Sequence, residues 1–138
     1  MKEEVRSVLQ FRNYIIKRVN FEYNFDCEEN DEGVNIDFDI DVDFQVNEDN
    51  SSMATILKVK IFDNPIDNNY PFFMELEMVG FFSMEIVGDA DINSFKSNAI
   101  AILFPYVRSL VSVYTANANV EPLILPTINI NRYMRDKK

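Results

Sequence analysis

The chain has 138 residues, 47% of them hydrophobic, and its 13 Lys and Arg face 23 Asp and Glu for a formal net charge of −10. That length fits one domain, able to bury about two-thirds of the surface its unfolded chain exposes. The acidity excludes a nucleic-acid or anionic-membrane surface built on Lys and Arg, the absence of histidine removes the commonest general base and metal ligand, and the lone Cys27 can form neither an internal disulfide nor a cysteine metal cluster.

Met1–Gln10 is charged and has no apolar stretch of the kind a signal peptide needs, so it reads as a loose or short helical start. The lone cysteine and this start imply a reducing, cytoplasmic setting. From Phe11 to Phe25 the pattern turns to period 2, with Val19, Phe21, Tyr23 and Phe25 on one face: a half-buried strand. Asp26–Gly33 is an acidic loop. Val34–Asn47 alternates without a break, with Val34, Ile36, Phe38, Ile40, Val42, Phe44 and Val46 against Asp37, Asp39, Asp41 and Asp43. Met53–Phe62 is a third strand, with Met53, Thr55, Leu57, Val59 and Ile61 inward and Lys58 and Lys60 outward. Asn64–Asn69 is a loop rich in breakers. Tyr70–Glu85 is a fourth strand with Phe72, Met74, Leu76 and Met78 inward, and Gly80 is a candidate bulge. Short connections favour an antiparallel sheet.

After Gly88 the period becomes helical, with Asp91, Asn93 or Ser94 as cap. The longest apolar run, Ala99–Val107, contains Pro105 and is too short to span a bilayer. Two stripes run along this helix: Phe95, Ala99, Leu103, Tyr106, Leu110 and Val113, and Ile100, Phe104, Val107, Val111 and Tyr114. One stripe covers a sheet. The second, with no further layer in sight, points to an oligomer interface. Pro105 predicts a kink. Glu121–Pro126 is extended and apolar, and Asn129 caps a short last helix, Ile130–Lys137. The fold class is α+β: a four-stranded antiparallel sheet, a long kinked helix and a short C-terminal helix.

Little in this sequence supports catalysis. The aspartates of the second strand lie about 6.8 Å apart along one face, too far to enclose one ion. They read as a solvated face relieved by Lys58 and Lys60. Glu75 and Glu77 have no cleft signal and suit a basic partner or plain solvation. Ser109, Ser112 and Thr115 have no histidine to activate them, and no glycine-rich phosphate loop is present. No metal or other cofactor is expected. Met74, Met78 and Met84 are adaptable side chains, suited to a core or to a promiscuous apolar surface.

Leu103-Phe104-Pro105-Tyr106-Val107-Arg108 followed by Leu123-Ile124-Leu125-Pro126-Thr127-Ile128-Asn129 resembles the SecB family of protein-export chaperones, where similar LFPYxR and L-x-L-x-P-[IV]-N segments occur. Phe21-Glu22, Val34–Asp39 and Phe72–Phe82 are similar to its strands. The resemblance implies a homotetramer, a dimer of dimers with the long helices between two sheets. It also implies an ATP-independent holdase that binds unfolded clients in apolar grooves. Leu123, Ile124 and Leu125 with Tyr133 and Met134 would form one groove wall, and Met74, Leu76 and Met78 its floor. Glu22, Glu75 and Glu77 would meet a SecA-type motor. However, Arg18 stands where members carry an acidic residue, the loop Asp26–Gly33 is short and lacks tryptophan, and Asp136-Lys137-Lys138 stands where members carry a motor-binding tail. Polypeptide binding follows from the resemblance more directly than export. A chaperone dedicated to one partner, such as an antitoxin, and a small ligand-binding or enzymatic α+β domain are the rival readings.

Overall fold

The computed structural model describes residues 8–29, 33, 35–88 and 91–137. Its elements are β1 (Val8–Tyr23), β2 (Phe38–Val46), β3 (Ser52–Ile61), α1 (Pro65–Asn68), β4 (Phe72–Glu85), α2 (Ile92–Asn117) and α3 (Ile130–Asp136). The strands form one antiparallel sheet in the order β1-β4-β3-β2. The expected sheet and helices are therefore present, with corrections at the ends. Val8–Gln10 belongs to β1 rather than to a helical start, and Met1–Ser7 and Val34 lie outside the described residues. β2 begins at Phe38 instead of Val34, and the expected loop at Asn64–Asn69 contains α1.

β1 shows why strict alternation is hard to read before Val19. Its register against β4 shifts between Phe11 and Asn13 and again between Ile16 and Arg18. Each bulge inserts one residue and reverses the parity of the strand. Phe11, Tyr14, Ile16, Val19 and Phe21, opposite Phe82, Gly80, Met78, Leu76 and Met74, thus share the inner face. Gly80 itself is not a bulge. It pairs with Tyr14 and Thr55, and a Cβ there would stand 3.0 Å from Leu103 Cδ1. Its bare backbone lets α2 settle onto the sheet. Gly80→Ala is expected to cost about 1–3 kcal/mol in urea unfolding through overpacking; an unchanged midpoint would show that Leu103 simply moves aside.

The core lies between the inner sheet face and α2. Leu57, Val59, Met74, Leu76 and Met78 meet Leu103, Val107 and Val111 there, all fully buried. The second apolar stripe of α2 is also buried within the chain. Ile100, Phe104, Val107 and Val111 lie in the same core as Leu125 and Ile130, so they are not a free oligomer interface. The missing layer is the chain's own return: after α2 it doubles back along the helix as a strap, residues 120–130. Arg108 Nε donates to Leu125 O (3.1 Å), Ser112 Oγ to Leu123 O (3.1 Å) and Asn131 Nδ2 to Ser97 O (2.9 Å). Tyr114 is half-buried against Phe21, 5.6 Å between ring centroids. The large hydrophobic residues that α2 leaves exposed are Ile102, Tyr106 and Val113. Asp91 accepts from Asn93 N–H at the helix start, and α2 runs helical through Pro105. By length and composition alone the whole of α2 could cross a membrane, although its uninterrupted apolar run, Ala99–Val107, is short. Here it lies on the sheet with eight residues from Phe95 to Thr115 buried, as core helices do.

α3, capped by Asn129, reaches β2 through the side chains of Tyr133 and Lys137. Tyr133 stacks on Phe38 at 5.7 Å, and Lys137 Nζ reaches Ile40 O (2.7 Å), Asp39 (2.8 Å) and Asp41 (2.6 Å). The hydrogen bond from Lys137 holds the Asp39 carboxyl below its usual range. Burial lowers the Lys137 ammonium, but its bonds to the two aspartates outweigh this and raise it. A depressed carboxylate stabilises above its unfolded pKa and loses that contribution as pH falls through the folded value; a raised ammonium does so below its unfolded pKa and loses it as pH rises. The clamp is therefore complete from about pH 4 to 10. Because the pair is largely exposed it contributes about 1 kcal/mol or less. Asp39→Asn combined with Asp41→Asn should speed amide exchange in α3 at pH 7 and remove the acid-side loss of protection; unchanged exchange would mean that Tyr133 and Ile130 hold the helix without the clamp.

Candidate functional site: an apolar groove at the sheet end

β1 and β2 occupy opposite edges of the sheet. Their connection, residues 24–37, must therefore cross three strand spacings, about 14 Å. It crosses at the end where β3 finishes and β4 begins. The strap leaves α2 at the same end. Between the two runs lies a groove of about 620 Å³. Phe62, Pro71 and Phe72 line it from the sheet side. Tyr23 closes β1, Cys27 and Ile36 belong to the crossing connection, and Val120, Pro122, Leu123 and Ile124 to the strap. The exposed Glu28, Glu29 and Glu121 also border it.

Phe62 is the least ordinary of these residues. Alternation after Lys60 would turn it to the outer face. Its φ of 57° places it instead in the left-handed region, costly for a bulky side chain. There it is 3% exposed, 4.8 Å from the Tyr70 ring and edge-on to Phe72 at 5.1 Å. Its N–H donates to Asp37 O at 2.8 Å. The aromatic contacts and this bond hold a conformation that the residue alone would avoid, and they set an aromatic floor at the sheet end.

Two asparagines fix the crossing connection. Asn24 is buried, and its Nδ2 donates to Pro65 O and Tyr70 O. Asn69, at a positive φ, accepts from Glu28 N–H (2.8 Å) and donates to Glu28 O (3.2 Å), while Cys27 Sγ donates to Asn69 O (3.4 Å). On the other side, Thr115 Oγ1 accepts from Leu123 N–H at 2.9 Å and donates to Val111 O. Thr115 and Ser112, polar residues without a base, thus serve as anchors of the strap.

The structure redistributes the residues expected in the groove. Leu123 and Ile124 do line it. Leu125 is 1% exposed and belongs to the core. Met74, Leu76 and Met78 face α2 and are fully buried, so the floor is formed by Phe62 and Phe72 instead. Tyr133 and Met134 pack on the core from α3, where Tyr133 meets Phe38, and neither lines this groove. Sequence reasoning missed Phe62, whose signal was the pair Ile61-Phe62 breaking the alternation just before Asp63-Asn64-Pro65.

The sequence matches the family described as SecB, Preprotein translocase subunit SecB, over residues 2–138. The chain belongs to the SecB family. The uncharacterized protein MJ0357 of Methanocaldococcus jannaschii is 36% identical over 134 residues, 94% of this chain and 84% of that protein. Among solved structures, the SecB-like chaperone Rv1957 of Mycobacterium tuberculosis, in complex with a ChAD peptide from the Rv1956 HigA1 antitoxin, aligns with a TM-score of 0.67. The identity is 15%, over 87% of each chain. A protein of unknown function from Streptococcus agalactiae aligns at TM-score 0.58 and 12% identity, covering 89% of this chain and 100% of that one. At these identities the structural matches establish the SecB-like fold.

The outer sheet face of this SecB-family chain carries the residues expected to meet a motor. Glu75 is paired with Arg18 at 2.7 Å and Glu77 with Lys17 at 3.5 Å. Lys60 and Lys58 stand opposite Glu75 and Glu77 on β3, and opposite Asp39 and Asp41 on β2. The face is thus a lattice of alternating charge, in which Glu22 is exposed opposite Phe73.

Proposed function

We propose that this SecB-family chain is an ATP-independent holdase that takes apolar segments of non-native polypeptides into the groove between the crossing connection and the strap. The observation that carries this reading is the groove itself: open, floored by aromatic residues, and held in shape by bonds from the side chains of Asn24, Asn69 and Thr115 to the backbone. A segment burying about 200 Å² of apolar surface there gains about 5 kcal/mol before ordering costs are subtracted. One groove therefore binds weakly and without strict sequence preference. Several grooves on one assembly supply the avidity a holdase needs. No bound cofactor or catalytic step is required.

We further propose a homotetramer, a dimer of dimers. β1 is a 16-residue edge strand without proline, in which Tyr14, Ile15 and Ile16 are consecutive and exposed. Such an edge calls for a partner strand, and a second copy offers the same one. Ile102, Tyr106 and Val113 give α2 a matching apolar stripe for the second contact. The free Cys27 fits a cytoplasmic setting. Coupling to a SecA-type motor is the weaker part of the family's role here, because Arg18 and Lys17 already occupy Glu75 and Glu77.

Dilution of denatured, reduced α-lactalbumin into the protein should leave it soluble at about one tetramer per client, read by light scattering. Aggregation unchanged at a several-fold excess would sink the holdase reading. A chaperone dedicated to one client is the second reading, favoured by the antitoxin peptide in the Rv1957 structure. Affinity capture under native conditions separates the two: one stoichiometric partner supports the dedicated form, many unfolded ones the general form.

A further inference from the structure

We infer that the strap Glu121–Pro126 is a β-edge with a single donor, and that Ile124 exchanges both backbone hydrogen bonds with one residue of an extended client. The inference rests on the groove reading above and adds the mode by which the client is held.

Leu123 directs both of its backbone groups at α2: N–H to Thr115 Oγ1 and C=O to Ser112 Oγ. Leu125 directs its C=O the same way, to Arg108 Nε. In extended backbone the polar groups of successive residues point to opposite edges. Residues 122, 124 and 126 therefore turn theirs away from the helix. Of these, Pro122 and Pro126 have no N–H to offer. Ile124 thus carries the one donor of that edge. Among the described residues neither its N–H nor its C=O is hydrogen-bonded, and its side chain is 69% exposed at the groove.

This pattern suits a transient strand better than a permanent one. Prolines on an edge block a long ladder and so discourage self-association. A single antiparallel pair at Ile124 still sets the register of a client, with its side chains on one face turned toward Phe62 and Phe72. The hydrogen bonds are made to backbone, so they are independent of client sequence. A second copy's strap could pair only through its own Ile124, and the same experiment tests that occupant.

The probe is a labelled, end-capped peptide Lys-Ser-Val-Thr-Phe-Thr-Val-Ser-Lys, in which the one Phe fixes the register. Backbone esters, each removing one N–H without added bulk, are placed at one position per peptide, and binding is read by anisotropy. One position should lose about tenfold in affinity, with about twofold or less at its two neighbours, whose N–H groups point away. Ile124→Pro, which removes the strap's donor but keeps its carbonyl, should weaken the parent peptide about tenfold beyond Ile124→Ala, while the ester-sensitive position, which reads the client N–H on that carbonyl, stays the same in Ile124→Ala. Tolerance of the ester at every position overturns the inference, as does a folded Ile124→Pro that binds like wild type. Should that variant not fold, the ester series on the wild-type protein decides alone. Change in oligomer mass with Ile124→Pro, in place of change in peptide binding, would assign the edge to a second copy and also overturn it. Failure of the parent peptide to bind the wild-type protein would instead overturn the groove reading, and this inference with it.

Discussion

Ile124→Asp is expected to weaken binding of apolar clients about 10- to 100-fold, the loss that follows from removing one isoleucine's worth of buried apolar contact. The added carboxylate sharpens the effect, because a client segment closing over it would bury a charge without a partner. The fold should be unaffected. Ile124 is 69% exposed, and the bonds that hold the strap are made by Leu123 and Leu125. Unfolding should therefore stay within about 0.5 kcal/mol of wild type. Titration of the labelled peptide and the α-lactalbumin assay measure the two sides of the claim. Full holdase activity in Ile124→Asp would place client binding elsewhere. A matching substitution at Leu125, which is 1% exposed, would not be informative, because it would unfold the core instead.

Tyr106→Glu combined with Val113→Glu is expected to halve the assembly. Tyr106 lies 4.7 Å from the Tyr14 ring and 5.5 Å from Phe11, yet it stays 38% exposed on the outer arc of α2. Aromatic residues at the centre of an interface contribute about 2–4 kcal/mol each. Two substitutions that also place like charges face to face should shift the association constant by more than about a thousandfold. Light scattering should show dimers at micromolar concentration. The functional consequence separates avidity from groove chemistry: short peptides should bind as before, while long unfolded clients lose about 100-fold. A tetramer that survives both substitutions, or a wild-type protein that is monomeric at the outset, would remove the second half of the proposal and leave the groove untouched.

Most of the fold was readable from residue order because its elements are long and their periods unambiguous. β3 alternates from Met53 to Ile61 and its buried set is the expected one. The LFPYxR segment and the strap that follows it named the family from the last third of the chain, and the match over residues 2–138 agrees. The site was less readable. Met74, Leu76 and Met78 alternate as a groove floor would, but the same alternation describes a strand buried under a helix. Composition cannot distinguish the two. The strap explains the second stripe of α2 without a subunit, because Leu125 and Ile130 supply from the same chain the surface that Phe104 and Ile100 need.

The sequence by itself determined the periods of the four strands and of α2 and α3, and the apolar faces of β2, β3, β4 and α2, whereas the short α1 and the bulges that reverse the faces of β1 escaped it. Periods and faces are local properties, set by repeats of two and of 3.6 residues and by caps such as Asp91 and Asn129. Strand order was not local, and only the tertiary structure decided it. Placing β1 and β2 at opposite edges forces the connection between them across the sheet end and creates the groove. The left-handed turn at Phe62 then supplies its floor. That conformation is unfavourable in isolation and persists only because Tyr70, Phe72 and the Asp37 carbonyl surround it.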